Sequence, residues 1–391
     1  MIIDIIKFIL SDLGKRKFSS FLTLFAISLG IFSVFVIVLL GEGFENSIEE
    51  QFASLGTNRL FISSAGGGFG SSSEAISDNE VRVLESQPYI SKVYKNYLRS
   101  TQVEFSNQFV QKQLFGFEFD RDAFEDLAVE IEFGRYPRNN EEGVVVIGPI
   151  AAEELFDKEI SIGSNLYVQD QKLKVIGITK ELGNPEDDST IYVNINELQE
   201  IFDAKETISF LYVLVDEGED INLAKENVER LLENRLGEDS IEITTAEQFI
   251  EQFTTILSIV KLTLGGIAFV AIIVGALGII NTMYVIVTEK TKDIGIMKSI
   301  GATNETILMI YMIQAGTFGF LGAILGVILG SITVTLFESF AQGAGFSFLK
   351  VTITSSAVFG LLAFGFIIGI LAGFLPSWKA SKLTIVDTLR K

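Results

Sequence analysis

Glu289-Lys290-Thr291-Lys292-Asp293-Ile294-Gly295-Ile296-Met297-Lys298-Ser299-Ile300-Gly301-Ala302-Thr303 is a charged island between two long apolar runs. Residues 267–287 before it and 307–337 after it carry no formal charge. Each run is long enough to cross a hydrocarbon core of about 30 Å. The island is therefore expected as a short loop, residues 289–306, on one face of a membrane. Within it Ile294, Ile296, Met297 and Ile300 alternate with Lys292, Asp293, Lys298 and Ser299. That pattern predicts a short helix with one apolar face, able to lie in a partner's groove. Gly301 is expected to end it, and Thr303 to cap the following helix, with Glu305 in the first turn where the helix dipole favours an acid.

Working outward, 391 residues at 48% hydrophobic content and mean hydropathy +0.41 nonetheless carry a net charge of -20. The acidity is concentrated: residues 41–250 hold 42 of the 50 acids and 17 of the 30 bases. Membrane spans and one acidic domain are thus joined in one chain. With no cysteine and no histidine, the sequence excludes disulfides, thiolate or imidazole metal sites and a serine-histidine-aspartate triad. It also holds no G-x-x-x-x-G-K-[ST] stretch, so no phosphate-cradling ATPase loop is encoded.

Residues 1–17 read as an interfacial helix, Ile2, Ile5, Ile6 and Ile9 facing apolar surroundings; a helix docked on the spans is the competing reading. Lys15, Arg16 and Lys17 then precede an uncharged run of 23 residues, 18–40. It is too long for a signal peptide's apolar region and is expected to be a permanent first span. Residues 41–254 switch to the periodicity of an α+β domain. Strands are expected at 59–62, 144–147, 173–178, 190–193, 210–215 and 241–243, with a helix from Ile221 to Leu232 stopped by Gly237. Residues 63–73, rich in glycine and serine, read as a loop. The acidic groups Glu186-Asp187-Asp188 and Asp216 to Asp220 lack calcium-loop spacing and read as solvated turns. Arg135, Tyr136 and Pro137 read as a turn.

Thr245 and Gln248 form a capping box that opens a helix whose pattern holds to about Thr288, twice the length a membrane needs. Spans are assigned to 255–288, 307–337 and 357–375, with an outer loop at 338–356 and a tail at 376–391. Phe44, Ile48 and Phe52 continue the first span's spacing outward, so two helical stalks are expected to meet the domain. Gly322, Gly326 and Gly330, and Gly365, Gly369 and Gly373, recur every four residues and are expected to let helices pack closely, with a copy-to-copy contact as their second use. Lysines and arginines number eleven in the amino-terminal segment, the island and the tail, against one in the outer loop. Positive segments stay inside, which puts both termini and the island in the cytoplasm and the acidic domain outside.

Residues 287–302 strongly resemble the sequence around the coupling helix of FtsX-like permeases, the membrane subunits of ABC systems of the MacB and LolC/LolE type. Phe21-Leu22-Thr23 with Ile27 and Gly30 resembles the family's first span, and Leu55-Gly56-Thr57-Asn58 the start of its outer domain. Gly143 to Gly148 and Val175 to Ile178 resemble that domain's strands, and Pro376 to Leu383 with Leu389-Arg390 the family's carboxyl end. Ile385 and Thr388 depart from the family's usual proline and alanine. The resemblance implies four transmembrane α-helices with a large α+β extracytoplasmic domain, MacB-like, inserted between helices 1 and 2. It implies a cell-membrane permease that is a homodimer or pseudo-dimer and binds a separate cytoplasmic ABC ATPase subunit at Glu289, Lys290, Thr291, Lys292, Asp293, Ile294, Gly295, Ile296, Lys298, Gly301, Ala302 and Thr303. ATP and magnesium would sit in that partner, with no cofactor, metal or catalytic residue in this chain and no nucleic acid. The first expectation is export or extraction of a hydrophobic or peptide-like substrate. Relay of force to an extracellular wall enzyme, in contact with an extracytoplasmic partner, is the second, and a membrane sensor the third.

Overall fold

The computed structural model describes residues 17–56, 58–65 and 76–384. The expected amino-terminal interfacial helix, save Lys17, lies outside the described residues, as do most of the glycine-serine stretch and the tail from residue 385.

α1 (Lys17–Leu55) is one unbroken helix that continues past Gly41, as its spacing predicts. It leads to β1 (Arg59–Ser64), α2 (Asp78–Glu85), β2 (Ile90–Phe105), β3 (Gln108–Phe117), α3 (Arg121–Asp126), β4 (Ile131–Gly134) and β5 (Val144–Ile147). Then come α4 (Pro149–Glu153), β6 (Asn165–Val168), β7 (Gln171–Thr179), α5 (Pro185–Asp188), β8 (Ile191–Asn194), α6 (Ile195–Ile201), β9 (Phe210–Val215), α7 (Ile221–Leu236) and β10 (Ile241–Thr245). α8 (Ala246–Glu289), α9 (Thr291–Ser299), α10 (Asn304–Gly343) and α11 (Ser355–Ser381) complete the described chain. Four of these helices, α1, α8, α10 and α11, are long and apolar enough to cross a membrane.

The chain divides into two compact units. In the β-rich unit, strands β10, β1, β9 and the first half of β2 form an antiparallel sheet in that order. Leu60, Ile62, Val93, Leu211 and Val213 project from one face onto Val81 and Leu84 of α2 and Ala224, Val228 and Leu232 of α7. The second half of β2 opens another arrangement. β2 pairs β3, β3 pairs β8, β8 pairs β5, β5 pairs β7, β7 pairs β6, and β6 returns to β2. The six strands therefore close on themselves, which leaves no free edge within the ring. Val103, Leu114, Val145, Leu166, Val175 and Val193 fill its interior. A third cluster, rich in aromatic side chains, includes Tyr94, Phe117, Phe119, Phe124 and Tyr212. The α+β expectation holds, and the expected strands at 144–147 and 210–215 fall where β5 and β9 stand.

Turn chemistry follows local sequence. Asp220 caps α7 through the amides of Asn222 and Leu223, and Gly237 at φ +102 terminates it. At Arg135 the turn reading acquires a mechanism, since the two terminal guanidinium nitrogens donate at 2.7 Å to the two oxygens of Glu141. These bonds, with the Arg138 amide at 2.9 Å, hold the Glu141 carboxyl down at about 2, below the ordinary 4.5. A depressed carboxyl contributes stability that is complete above its ordinary value and is lost as pH falls through the folded one. Glu141→Gln is expected to cost about 1 kcal/mol at neutral pH, after allowance for solvent screening. It should also flatten the pH dependence of amide-exchange protection around this turn between pH 4.5 and 2. Unchanged exchange across that window would refute the clamp.

The outer loop expected at 338–356 is shorter than that range, because α10 extends to Gly343. Phe340–Leu349 belongs to the β-rich unit. The Phe348 amide donates to Gly183 O at 3.3 Å, and Ser47 Oγ donates to Phe348 O at 3.1 Å. Gly183 permits this approach: at φ +86, a β-carbon there would stand 2.6 Å from Ser347 Oγ.

In the helical unit, Ile27, Ile31, Phe35 and Leu39 of α1 are buried, one per turn. They receive the first glycine series of α10. A β-carbon on Gly322 would stand 2.7 Å from Ile27 Cγ2, on Gly326 2.7 Å from Ser28 O, and on Gly330 2.5 Å from Phe35 Cδ1. α10 meets α11 through other positions: a β-carbon on Gly365 would lie 2.6 Å from Ala323 Cβ, on Gly369 2.5 Å from Ala315 O, and on Gly373 2.1 Å from Ala315 Cβ. The six expected packing glycines thus each face a neighbouring helix of the same chain. α1 also packs on α8, where Thr23 Oγ1 and Thr282 Oγ1 share a hydrogen bond of 2.7 Å. Pro376, expected at the start of the tail, instead lies inside α11, which runs on to Ser381.

Candidate functional site

The loop between α8 and α10 is ordered by short-range chemistry. Thr291 Oγ1 lies 2.8 Å from Thr288 O and 3.0 Å from Val287 O, and so serves carbonyls left open at the end of α8. Lys290 Nζ pairs with Asp293 at 3.2 Å across the first turn of α9. At the other end Gly301 adopts φ +101, and the amides of Gly301 and Ala302 bond Lys298 O at 3.1 Å and Met297 O at 3.0 Å. Thr303 Oγ1 then accepts from the Thr306 amide at 3.2 Å, the expected cap of α10.

The single apolar face expected for α9 divides in two. Ile294 is fully buried and Gly295 is buried beside it, whereas Ile296 is 49% and Ile300 80% exposed. The reason is geometric, since two residues along a helix of 3.6 residues per turn point roughly 200° apart. Lys292, Asp293, Ser299, Gly301 and Thr303 are exposed on the outside, as is Glu289, which has a partner of its own. The outward surface is therefore Ile296 and Ile300 set among small and charged groups.

Lys298, expected on the partner-facing side, reaches into the chain's own helices instead. Its Nζ donates at 2.7 Å to each of Asn304 Oδ1, Ser381 O and Leu383 O. Nearby, Lys379 Nζ lies 5.0 Å above the Tyr284 ring, joining α11 to α8, and Lys382 Nζ lies 3.8 Å above Trp378. The end of α11 was invisible as part of this site because the acceptors there, Ser381 O and Leu383 O, lie 83 and 85 residues away from the lysine along the chain.

The acidic groups weighed as cation sites are used locally. Asp188 is fully buried and accepts the amides of Leu182 at 2.6 Å and Gly183 at 2.8 Å, shaping the turn that Phe348 meets. Burial pushes the carboxyl of Asp188 up from its ordinary value, so this part of the expected solvated turn is in fact enclosed. Among the described residues no group of acids is arranged to hold a metal ion.

Residues 20–231 match the family described as the MacB-like periplasmic core domain, and residues 265–385 that described as the FtsX-like permease C-terminal. The chain is 29% identical, over 392 residues, to an uncharacterized ABC transporter permease of Methanocaldococcus jannaschii, covering 99% of this chain and 98% of that one. It is 27% identical to the uncharacterized ABC transporter permease YknZ of Bacillus subtilis, covering 100% and 99%. It is also 27% identical to the macrolide export ATP-binding/permease protein MacB of Neisseria gonorrhoeae, covering 96% of this chain and 58% of that protein.

Proposed function

Because the chain belongs to the family of ABC transporter permeases that join a MacB-like periplasmic core domain to an FtsX-like permease C-terminal, we propose that α9 is the seat of a cytoplasmic ABC ATPase subunit. The observation that carries this reading is the outward pair Ile296 and Ile300, two large aliphatic side chains exposed in a polar loop between two spans. Apolar groups in such a setting gain by burial in a complementary groove, at roughly 25 cal/mol per Å². Lys292 and Asp293 beside them supply polar selectivity. The distribution of lysines and arginines supports a cytoplasmic location for the loop and both termini.

ATP and magnesium belong to the partner, and hydrolysis there moves α9. The route outward is mechanical. α1 and α8 are unbroken helices, and the 44 residues of α8 make a rod of about 65 Å. Such a rod transmits displacement that a flexible linker would absorb. The work done is export or extraction of a hydrophobic or peptide-like substrate by movement of the core domain.

Ile296→Asp combined with Ile300→Asp is expected to abolish co-purification of the ATPase and permease-dependent hydrolysis, while membrane insertion and thermal stability stay within about 0.5 kcal/mol of the parent, as for exposed sites. Retained co-purification with unchanged hydrolysis would remove the docking assignment.

A further inference from the structure

α9 lies between α8 and α10 in the chain, so its displacement reaches those two helices through covalent structure. α11 has no such connection. Lys298 supplies one. A lysine ammonium has three N–H groups, and here each has an acceptor at 2.7 Å: one side-chain oxygen on Asn304 and the carbonyls of Ser381 and Leu383. Ser381 is the last residue of α11, and Leu383 stands two residues beyond it.

Carbonyls at a helix end lack partners within the helix and carry the negative end of its dipole, which makes this a favourable place for a cation. Ala380 and Ser381 are buried, so the capped end is held inside the protein rather than frayed into solvent. We propose that Lys298 is a positioning residue that clamps α9 to the end of α11, so that motion imposed on α9 is delivered directly to the last membrane helix. This rests on the reading of α9 as the seat of the ATPase. It also removes Lys298 from the partner-contacting set: its donors face inward, while Lys292, Ile296 and Ile300 face out.

The chain has no cysteine, so single cysteines can be introduced and spin-labelled without background. Labels are placed at Lys382→Cys, on the exposed residue after α11, and in a separate protein at Ser299→Cys on α9. In the detergent-solubilised chain alone, Lys298→Met is expected to mobilise the label at 382, and Lys298→Arg to leave it restrained. In the complex with its co-purifying ATPase, ATP is expected to change the spectrum at both positions in the parent. Lys298→Met should lose the change at 382, keep the change at 299 and keep the ATPase bound.

An unchanged label at 382 in Lys298→Met, or a nucleotide response there equal to the parent's, would overturn the clamp. Loss of ATPase binding in Lys298→Met would overturn the inward assignment. Absence of any ATPase on the parent chain would instead defeat the docking reading, with the clamp still decided by the label in detergent. If Lys298→Met does not fold, Asn304→Ala removes one of the three acceptors; it should partly mobilise the label at 382, and an unaltered spectrum would count against the clamp.

Discussion

Gly319→Val is expected to separate α10 from α11 and lower the stability of the detergent-solubilised chain by about 3 kcal/mol or more, the upper end for overpacking. A β-carbon at Gly319 would stand 2.1 Å from Gly365 O and 2.9 Å from Gly369 Cα. Both obstacles are backbone, and neither can rotate aside as a side chain would. Relief requires the helices to move apart, which forfeits the close van der Waals contact that associates helices in lipid, where no hydrophobic term draws them together. The change should appear as a marked fall in aggregation temperature and in the yield of monodisperse protein. Gly360→Val is the matched control, because nothing lies within 4 Å of a β-carbon there. Equal behaviour of the two variants would sink the account of α10–α11 packing.

Ile294→Asp is the second large effect, and its cause differs from that of the outward pair. Ile294 has no exposure to solvent, so the substitution buries a carboxylate and removes most of an aliphatic side chain. Together these cost on the order of 4 kcal/mol. The sequence pattern alone suggests that this variant would release the ATPase while leaving the chain intact. The structure leads to another expectation: the ATPase is lost because the loop that holds it comes apart, and protease cleavage between α8 and α10 rises in the absence of any partner. Ile300→Asp should leave that cleavage unchanged. A protease-resistant Ile294→Asp chain that simply fails to bind would return Ile294 to the docking surface.

The sequence disclosed those elements whose side chains are apolar on both faces or whose ends carry strong local signals. β5 and β9, buried at every position, were legible as runs of valine, leucine and aromatic residues. α7 was legible from the helical spacing of Ile221, Ala224, Val228, Leu231 and Leu232 and from Gly237 after it, whereas its Asp220 cap was read only as part of an acidic turn. β2 and β3 were not, because Lys92, Lys95, Arg99 and Gln102 interrupt Val93, Tyr97 and Val103 and hide a half-solvated strand. A signal did exist: Ser106 and Asn107 join the strands in a two-residue turn with φ of +53 and +66, a conformation asparagine tolerates. In the candidate site, α9, its glycine stop and the Thr303 cap could be read directly, since each depends on neighbours in sequence. Which way Ile294 and Lys298 point could not. For Lys298 the direction is set by carbonyls at and just beyond the end of α11, and no local pattern reports a partner more than eighty residues away.

β2 spans 16 residues, about 50 Å, and contributes rungs both to the four-stranded sheet and to the closed ring. One continuous strand common to two cores ties their fates: neither can lose its register of pairing without loosening the other. The β-rich unit should consequently melt as one cooperative foldon rather than as two, and a load taken up at either end of β2 is borne by covalent backbone instead of a yielding hinge.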